Sequence, residues 1–424
     1  MTIRIIHVAL MIERRFSRAA LANGPNASVI MVREIAMAEL LQDVLNALNA
    51  NVFYREFSFS KNVFYPRRGQ TEEFADHAIW IDDILIIFQV KERNTGQSSE
   101  EMDRRWFQNK VLAKATRQVR NTLGFLKDYP EINIKNQREH VFNVSGASLK
   151  HIIKLVIYKP PDEFPRDLLR VRHHVSSTAG FMHVIPWDDY ANLCATLITP
   201  AELVEYFEFR EKVIKKWFPT GQVPSEPALV GQFLRNEDDS VPSEEYARYV
   251  FTLKQDFEDF DIFNFLSGIG SRVAYYEGMD NELGYYNILA EFAKLSRADL
   301  KLAKERIVRC EEAARANREF GPFRFSSRQT GCGFVFMAFD EEGFDSRIEM
   351  LKVLTEHSKY QLRLSRHVGV SFAKHGNVMD INWALMSFPW QPDPMLEANL
   401  KNFDPFPPLR SAVRARYSFE EMEK

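Results

Sequence analysis

The chain of 424 residues carries 55 Lys and Arg against 58 Asp and Glu, a formal net charge of −3, and is 45% hydrophobic. That composition describes a globular chain with room for two domains and excludes an extended basic tail, so any nucleic-acid contact must come from a local patch. Cys194, Cys310 and Cys332 are too scattered for a disulfide framework or a Cys-rich zinc site, which predicts a reducing, cytoplasmic setting.

Residues 1–11 are apolar, but the run is short. It is broken by Arg4 and His7 and enters Glu13-Arg14-Arg15, unlike a cleaved signal peptide. No segment has the length and apolarity of a membrane span. The spacing predicts a helix over 28–45, with Glu34, Ala38, Leu41 and Leu45 on one stripe and Glu39 on a more polar face with Gln42 and Asp43. Alternation predicts a strand over 51–59, and 65–70 reads as a loop. Residues 75–81 and 84–91 are rich in β-branched and aromatic side chains and flank Asp82-Asp83, which predicts a hairpin. A polar turn over 94–99 leads to a long helix from about 99 to 126, stopped before Asp128-Tyr129-Pro130. Strands are predicted over 141–144, 152–158 and 181–186. An amphipathic stretch follows over 187–217, in which Thr199-Pro200 starts a second helix.

The segment 219–243, with prolines at 219, 224, 227 and 242 and the acidic cluster Glu237-Asp238-Asp239, reads as a linker. It separates an α/β domain over 1–218 from a mostly helical α+β domain over 244–424. The latter is helical over 244–318, with a buried strand at 333–339, a helix over 345–364, a strand at 368–372 and a Pro- and Phe-rich tail from 389. Its role, whether sensing, binding or regulation, has no signature in the residues.

The hairpin carries the chemistry. With Asp82-Asp83 as a two-residue loop, Ile81 faces Ile84, Trp80 faces Leu85, and counting outward sets Asp76 opposite Gln89. Residues opposite one another share a side of the sheet, as do residues two apart on a strand. Asp76, Gln89 and Lys91 therefore share a face and can hold a metal ion and a water between them. His77, Ile79, Ile81, Ile84, Ile86, Phe88 and Val90 form the other face, which reads as core, and His77 belongs to it. A carboxylate, an amide and an ammonium on an otherwise apolar hairpin are costly unless they serve something.

An Asp followed one hairpin later by Gln-x-Lys resembles the signature of the PD-(D/E)xK nuclease superfamily, with Gln89 in the place of the usual Glu, as in its Mrr-type restriction endonucleases. The resemblance covers about the first half of the chain. It implies a restriction-endonuclease-like mixed sheet flanked by helices, in the order helix, catalytic hairpin, helix, strand. It also implies a Mg²⁺ or Mn²⁺ site in which Asp76 is the main ligand and Glu34, from the first helix, the second carboxylate, with Glu39 the second choice. Gln89 offers its amide oxygen or orients a metal-bound water, and the carbonyl of Val90 is a further ligand. A Gln in place of Glu lowers the negative charge at the site and with it the affinity for metal. Lys91 positions or activates the attacking water and steadies developing negative charge.

On the helix after the motif, Lys110, Lys114, Arg117 and Asn121 fall on one largely basic face that Arg104 and Arg105 extend, a pattern suited to docking a phosphate backbone. Gln118 lies near that face, where the resemblance implies a Gln that supports the site; the Tyr usual four residues later is Thr122 here. His173, His174 and His183 lack a companion carboxylate or thiolate pattern and read as ordinary loop and strand residues. No phosphate-binding Gly-x4-Gly-Lys-Ser/Thr loop is present, and no base is arranged to activate Cys332.

These readings lead to the expectation of a metal-dependent nuclease acting on DNA, in the manner of a bacterial restriction or anti-phage defence effector. Its partners are nucleic acid and, for cutting both strands of a duplex, a second copy in a homo-oligomer such as a dimer; no membrane is involved. Two alternatives stand beside it: a nuclease-fold nucleic-acid-binding module without turnover, and a nuclease acting on RNA.

Overall fold

The Asp82-Asp83 turn joins β4 (His77–Ile81) to β5 (Ile84–Glu92), with Ile81 opposite Ile84 and His77 opposite Phe88, the register counted from the sequence. Asp82 takes a left-handed φ of 53°, a conformation that a short polar side chain tolerates better than most. The structure, a computed structural model, describes residues 41–60, 62–66, 70–93, 99–219, 223–235, 239–254, 256–272, 283–408 and 415–420. It is a mixed α/β fold of two compact units, 1–254 with 417–424 and 255–416.

In the first unit the hairpin sits inside a six-stranded sheet. β8 (His151–Lys159) runs parallel to β5, and β10 (Gly180–Pro186) runs parallel to β8. β1 (Ser58–Phe59) and β9 (His173–Ser176) close the edges antiparallel, giving the order β1-β4-β5-β8-β10-β9. Two small antiparallel pairs flank it, β2 (Val63–Phe64) with β3 (Glu72–Glu73) and β6 (Asn133–Lys135) with β7 (Val141–Asn143).

Both faces of the hairpin are buried. Ala78, Leu85 and Ile87, on the face of Asp76, pack with Phe59, Phe74, Ile132 and Val144. Farther along that face, Phe107, Val111 and Ala115 close over Val156, Tyr158 and Val184. These three belong to one continuous helical run: α2 (Glu100–Trp106), a π-helical stretch (Phe107–Lys114) and α3 (Ala115–Asp128). Ser99 caps its start, accepting from Met102 N at 3.3 Å. The opposite face meets α1 (Leu41–Val52), α4 (Trp187–Thr196) and α5 (Pro200–Trp217); the ring of Tyr190 lies 5.8 Å from Phe88, and its hydroxyl donates to Asn49 Oδ1 at 2.7 Å.

Two expectations change, and one lies outside what the structure describes. Residues 51–59 do not form a continuous strand. Leu41, Leu45, Leu48 and Val52 continue a buried helical stripe, so α1 runs through Val52 and only Ser58–Phe59 pairs in the sheet. Glu34 and Glu39 lie outside the described residues. The 219–243 segment contains a packed helix, α6 (Glu226–Arg235), because its prolines at 224 and 227 fall before and in the first turn, where they are tolerated. Glu226 is buried against Arg210 of α5 at 2.7 and 2.9 Å, and a Cβ on Gly231 would lie 1.8 Å from Tyr246 O. The first unit therefore continues through Lys254, and Phe419 bridges back to Leu253.

The second unit is built on a four-stranded sheet, β11 (Phe320–Ser326), β12 (Cys332–Phe339), β13 (Arg366–His375) and β14 (Val378–Ser387), with only the central pair parallel. α7 (Arg297–Arg315) and α8 (Arg347–Gln361) supply packing helices. The two central strands were predicted; β11 and β14, half-buried edges with polar residues among the apolar ones, were not. Among the described residues no helix is long and apolar enough to cross a membrane.

Candidate functional site

β5 runs past the first residue of β4, so the N–H of Val90 lies beyond the antiparallel ladder. It donates instead to Asp76 Oδ2 at 2.7 Å. The same oxygen accepts from Lys91 Nζ at 3.0 Å. Lys91 Nζ also donates to the carbonyl of Val90 at 2.9 Å and to Gln89 Oε1 at 3.4 Å. A carboxylate, a peptide carbonyl and a side-chain amide oxygen thus converge on one cationic nitrogen. Gln89 and Lys91 are buried and Asp76 is half-buried. The site lies at the C-terminal end of the parallel strand β5, the end at which open α/β sheets bind ligands.

Three further contacts fix Asp76. Gln42 Nε2, from α1, donates to its backbone carbonyl at 2.8 Å. Gln118 Nε2, from α3, reaches its Oδ1 at 3.4 Å, while Gln118 Oε1 is buried with no partner among the described residues. Thr122, in the place of the expected Tyr, is buried and donates to Phe74 O at 2.5 Å and to Gln118 O at 3.1 Å, which clamps α3 to the segment entering β4.

The electrostatics are those of a crowded cation. Burial holds the Lys91 ammonium below its ordinary pKa and the charge of Lys114 adds to that, against the pull of Asp76. Glu73, on β3, belongs to the same field: burial and the charge of Asp76 push its carboxyl up, while Lys91 and Lys114 draw it back. Neither Glu73 nor Gln42 stood out in the sequence as a site residue. The signal for Glu73 was the pair Glu72-Glu73 three residues before Asp76.

The helix over the site brings some of the expected basic residues together and not others. Lys110, Lys114 and Arg117 are exposed on the run that also carries Gln118. Arg104 instead forms a two-pronged ion pair with Asp167, at 2.6 and 2.9 Å, and bonds Glu100; Arg105 pairs with Glu101 at 3.0 Å. Neither adds net positive charge to a docking face. Eight residues of π-helix, a form concentrated at functional sites, separate α2 from α3.

Other sequence candidates settle into structural roles. His77 is fully buried, edge-on to Phe88, with burial lowering its pKa to about 3. His183 meets a guanidinium nitrogen of Arg210 through Nδ1 at 3.0 Å, and His173 stacks on Phe181. All three cysteines are free and buried.

Among the described residues no group of three or more His, Cys, Asp and Glu side chains is placed to hold a metal ion. The oxygens around Lys91 Nζ form a different donor set, one carboxylate and two neutral carbonyl-type oxygens, of the hard kind that Mg²⁺ and Mn²⁺ accept. They fit a hard cation if the ammonium moves aside. Comparison with protein-family models, with curated proteins and with solved structures finds no match for this chain.

Proposed function

We propose that this chain is a metal-dependent nuclease that hydrolyses DNA phosphodiester bonds at the Asp76–Gln89–Lys91 site. The observation that carries this reading is the convergence of Asp76 Oδ2, Gln89 Oε1 and Val90 O on a single cationic position at the end of a sheet strand. These three would hold Mg²⁺ or Mn²⁺, with Glu34 as a further carboxylate. A bound ion there would supply charge neutralisation at the scissile phosphate and make a bound water more acidic. Released from the metal position, Lys91 keeps its point charge beside the phosphate and steadies the negative charge that builds on it. Gln118 Oε1, buried without a partner among the described residues, is an acceptor that orients the attacking water. The water oxygen bonds to phosphorus, the bond to one ester oxygen breaks, the water gives up a proton, and the departing alkoxide takes one. Lys110, Lys114 and Arg117 offer exposed cations for the flanking phosphates.

A second reading, a nuclease-fold module that binds without turnover, is favoured by one feature: Lys91 itself fills the cation position and closes the ion pair. Incubating the whole chain with plasmid DNA, linear DNA and structured RNA, with Mg²⁺, with Mn²⁺ and with chelator, separates the readings. Hydrolysis of DNA that needs metal and vanishes in Asp76→Ala and Lys91→Ala, with binding retained, supports the nuclease. Binding without cutting under every metal condition supports the module, and cutting of RNA alone moves the substrate.

A further inference from the structure

The second unit holds a cavity of about 360 Å³ where the C-terminal end of α8 meets α9 (Pro394–Asn402), lined among others by Tyr360, Arg363, Trp390, Glu397, Leu400 and Lys401. Its volume falls in the range of small-ligand sites. Two aromatic rings are locked in place at its wall. Trp390 Nε1 donates to Tyr360 O at 3.0 Å, the two rings lie 5.7 Å apart at 35°, and the Tyr360 hydroxyl accepts from Asp393 N at 3.2 Å. Leu400 is buried and adds apolar surface.

Arg363 is the unusual residue of this cavity. It ends α8 in a left-handed conformation, φ 54°, at the position where helices commonly place Gly, and its N–H closes the cap on Tyr360 O at 3.0 Å. An arginine bears that backbone strain where a glycine would not, and its guanidinium lies 5.4 Å from the centre of the Trp390 ring. Opposite charges are also present: Glu397 and Lys401 pair at 3.2 Å, one turn apart on α9.

We infer that this cavity binds a nucleotide, an unpaired base with its phosphate, either free or within a single strand. Tyr360 and Trp390 supply the stacking surface that every base can use. Arg363 supplies the cation for the phosphate, its guanidinium already placed beside the stacking ring. Glu397 supplies an acceptor for a ring or amino N–H on the base edge. An apolar protein segment would use the rings but not the guanidinium. The inference stands apart from the hairpin site and does not depend on hydrolysis there.

The test uses the whole chain in chelator, so that no cleavage occurs. The four nucleoside monophosphates, inorganic phosphate and a labelled single-stranded tetranucleotide are titrated by calorimetry and fluorescence anisotropy. Saturable nucleotide binding is expected, weakened about tenfold or more by Trp390→Ala and kept within about threefold by Trp390→Phe, which retains a stacking ring. Arg363→Gly is the decisive variant: it relieves the left-handed backbone, so the unit folds at least as well, yet it weakens nucleotide binding about tenfold. Binding of the tetranucleotide but of no monophosphate assigns the cavity to strands, and binding of both admits the free ligand. The inference is overturned by no saturable binding of any nucleotide, by inorganic phosphate binding as tightly as the nucleotides, or by binding that Trp390→Ala and Arg363→Gly leave unchanged.

Discussion

Lys91 and Asp76 form an ion pair, Nζ to Oδ2 at 3.0 Å, with their side chains only 8% and 13% exposed, and the ammonium is shared with Gln89 Oε1 and Val90 O. Lysine and metal thus compete for the same oxygens. Lys91→Met removes the competitor and a catalytic charge at once. Mn²⁺ should bind several-fold more tightly by calorimetry, while cleavage of plasmid DNA falls by roughly 10²–10³, the cost of losing one preorganised charge-stabilising donor. Weaker Mn²⁺ binding in this variant would show that Lys91 does not occupy the metal position.

Thr122 is expected to matter more than a surface threonine of a helix. Its hydroxyl bonds Phe74 O two residues before Asp76. Thr122→Val keeps the shape and leaves that buried carbonyl unsatisfied, a loss of about 1–3 kcal/mol by urea unfolding. Cleavage should fall with it, because the segment carrying Asp76 loses its clamp to α3. An unchanged unfolding midpoint would mean the contact carries no weight.

The hairpin and its register were legible because two apolar arms alternate cleanly about Asp82-Asp83, and a slip of one residue would turn every side chain over. Placing Asp76, Gln89 and Lys91 together followed from that count alone. What the count does not disclose is the cover on the Asp76 face: Ala78, Leu85 and Ile87 are as buried as the residues opposite, because α3 and β6–β7 lie over them. The π-helical stretch left no trace, since Phe107, Val111 and Ala115 repeat at a spacing that an α-helix also satisfies. Glu73 sits in a two-residue strand too short to show any period. Glu100 and Glu101 stand four residues before Arg104 and Arg105, so helical spacing alone pairs them, whereas Asp167, the second partner of Arg104, becomes a neighbour only once the chain folds.

His77 makes the first unit acid-sensitive. Burial lowers its pKa to about 3 from an ordinary 6.5, so the folded state favours the neutral ring. Its contribution to stability is whole above pH 6.5, is lost as pH falls below that value, and levels off below about 3. At pH 5 the loss is ~2 kcal/mol relative to pH 7. His77→Phe should shrink the difference in unfolding free energy between those two pH values by about that amount. A difference as large as in the parent chain would place the titration elsewhere.

Glu226 is the test of where the first unit ends. It neutralises Arg210, which is fully buried, and accepts from the Tyr206 hydroxyl at 2.5 Å. Glu226→Gln leaves a buried guanidinium without its counter-charge, a cost of about 3–5 kcal/mol in unfolding free energy. If α6 were part of a loose linker, as the prolines around it suggest in the sequence, the substitution would leave stability within about 0.5 kcal/mol.

The most direct measurement is an anomalous difference map from crystals of the whole chain grown with Mn²⁺. A peak is expected within coordination distance of Asp76 Oδ2, Gln89 Oε1 and Val90 O, with Lys91 Nζ displaced from the position it now holds among them. Saturating Mn²⁺ with no peak there, and Lys91 still bonded to all three oxygens, would contradict the assignment of this hairpin as a metal-dependent hydrolytic site.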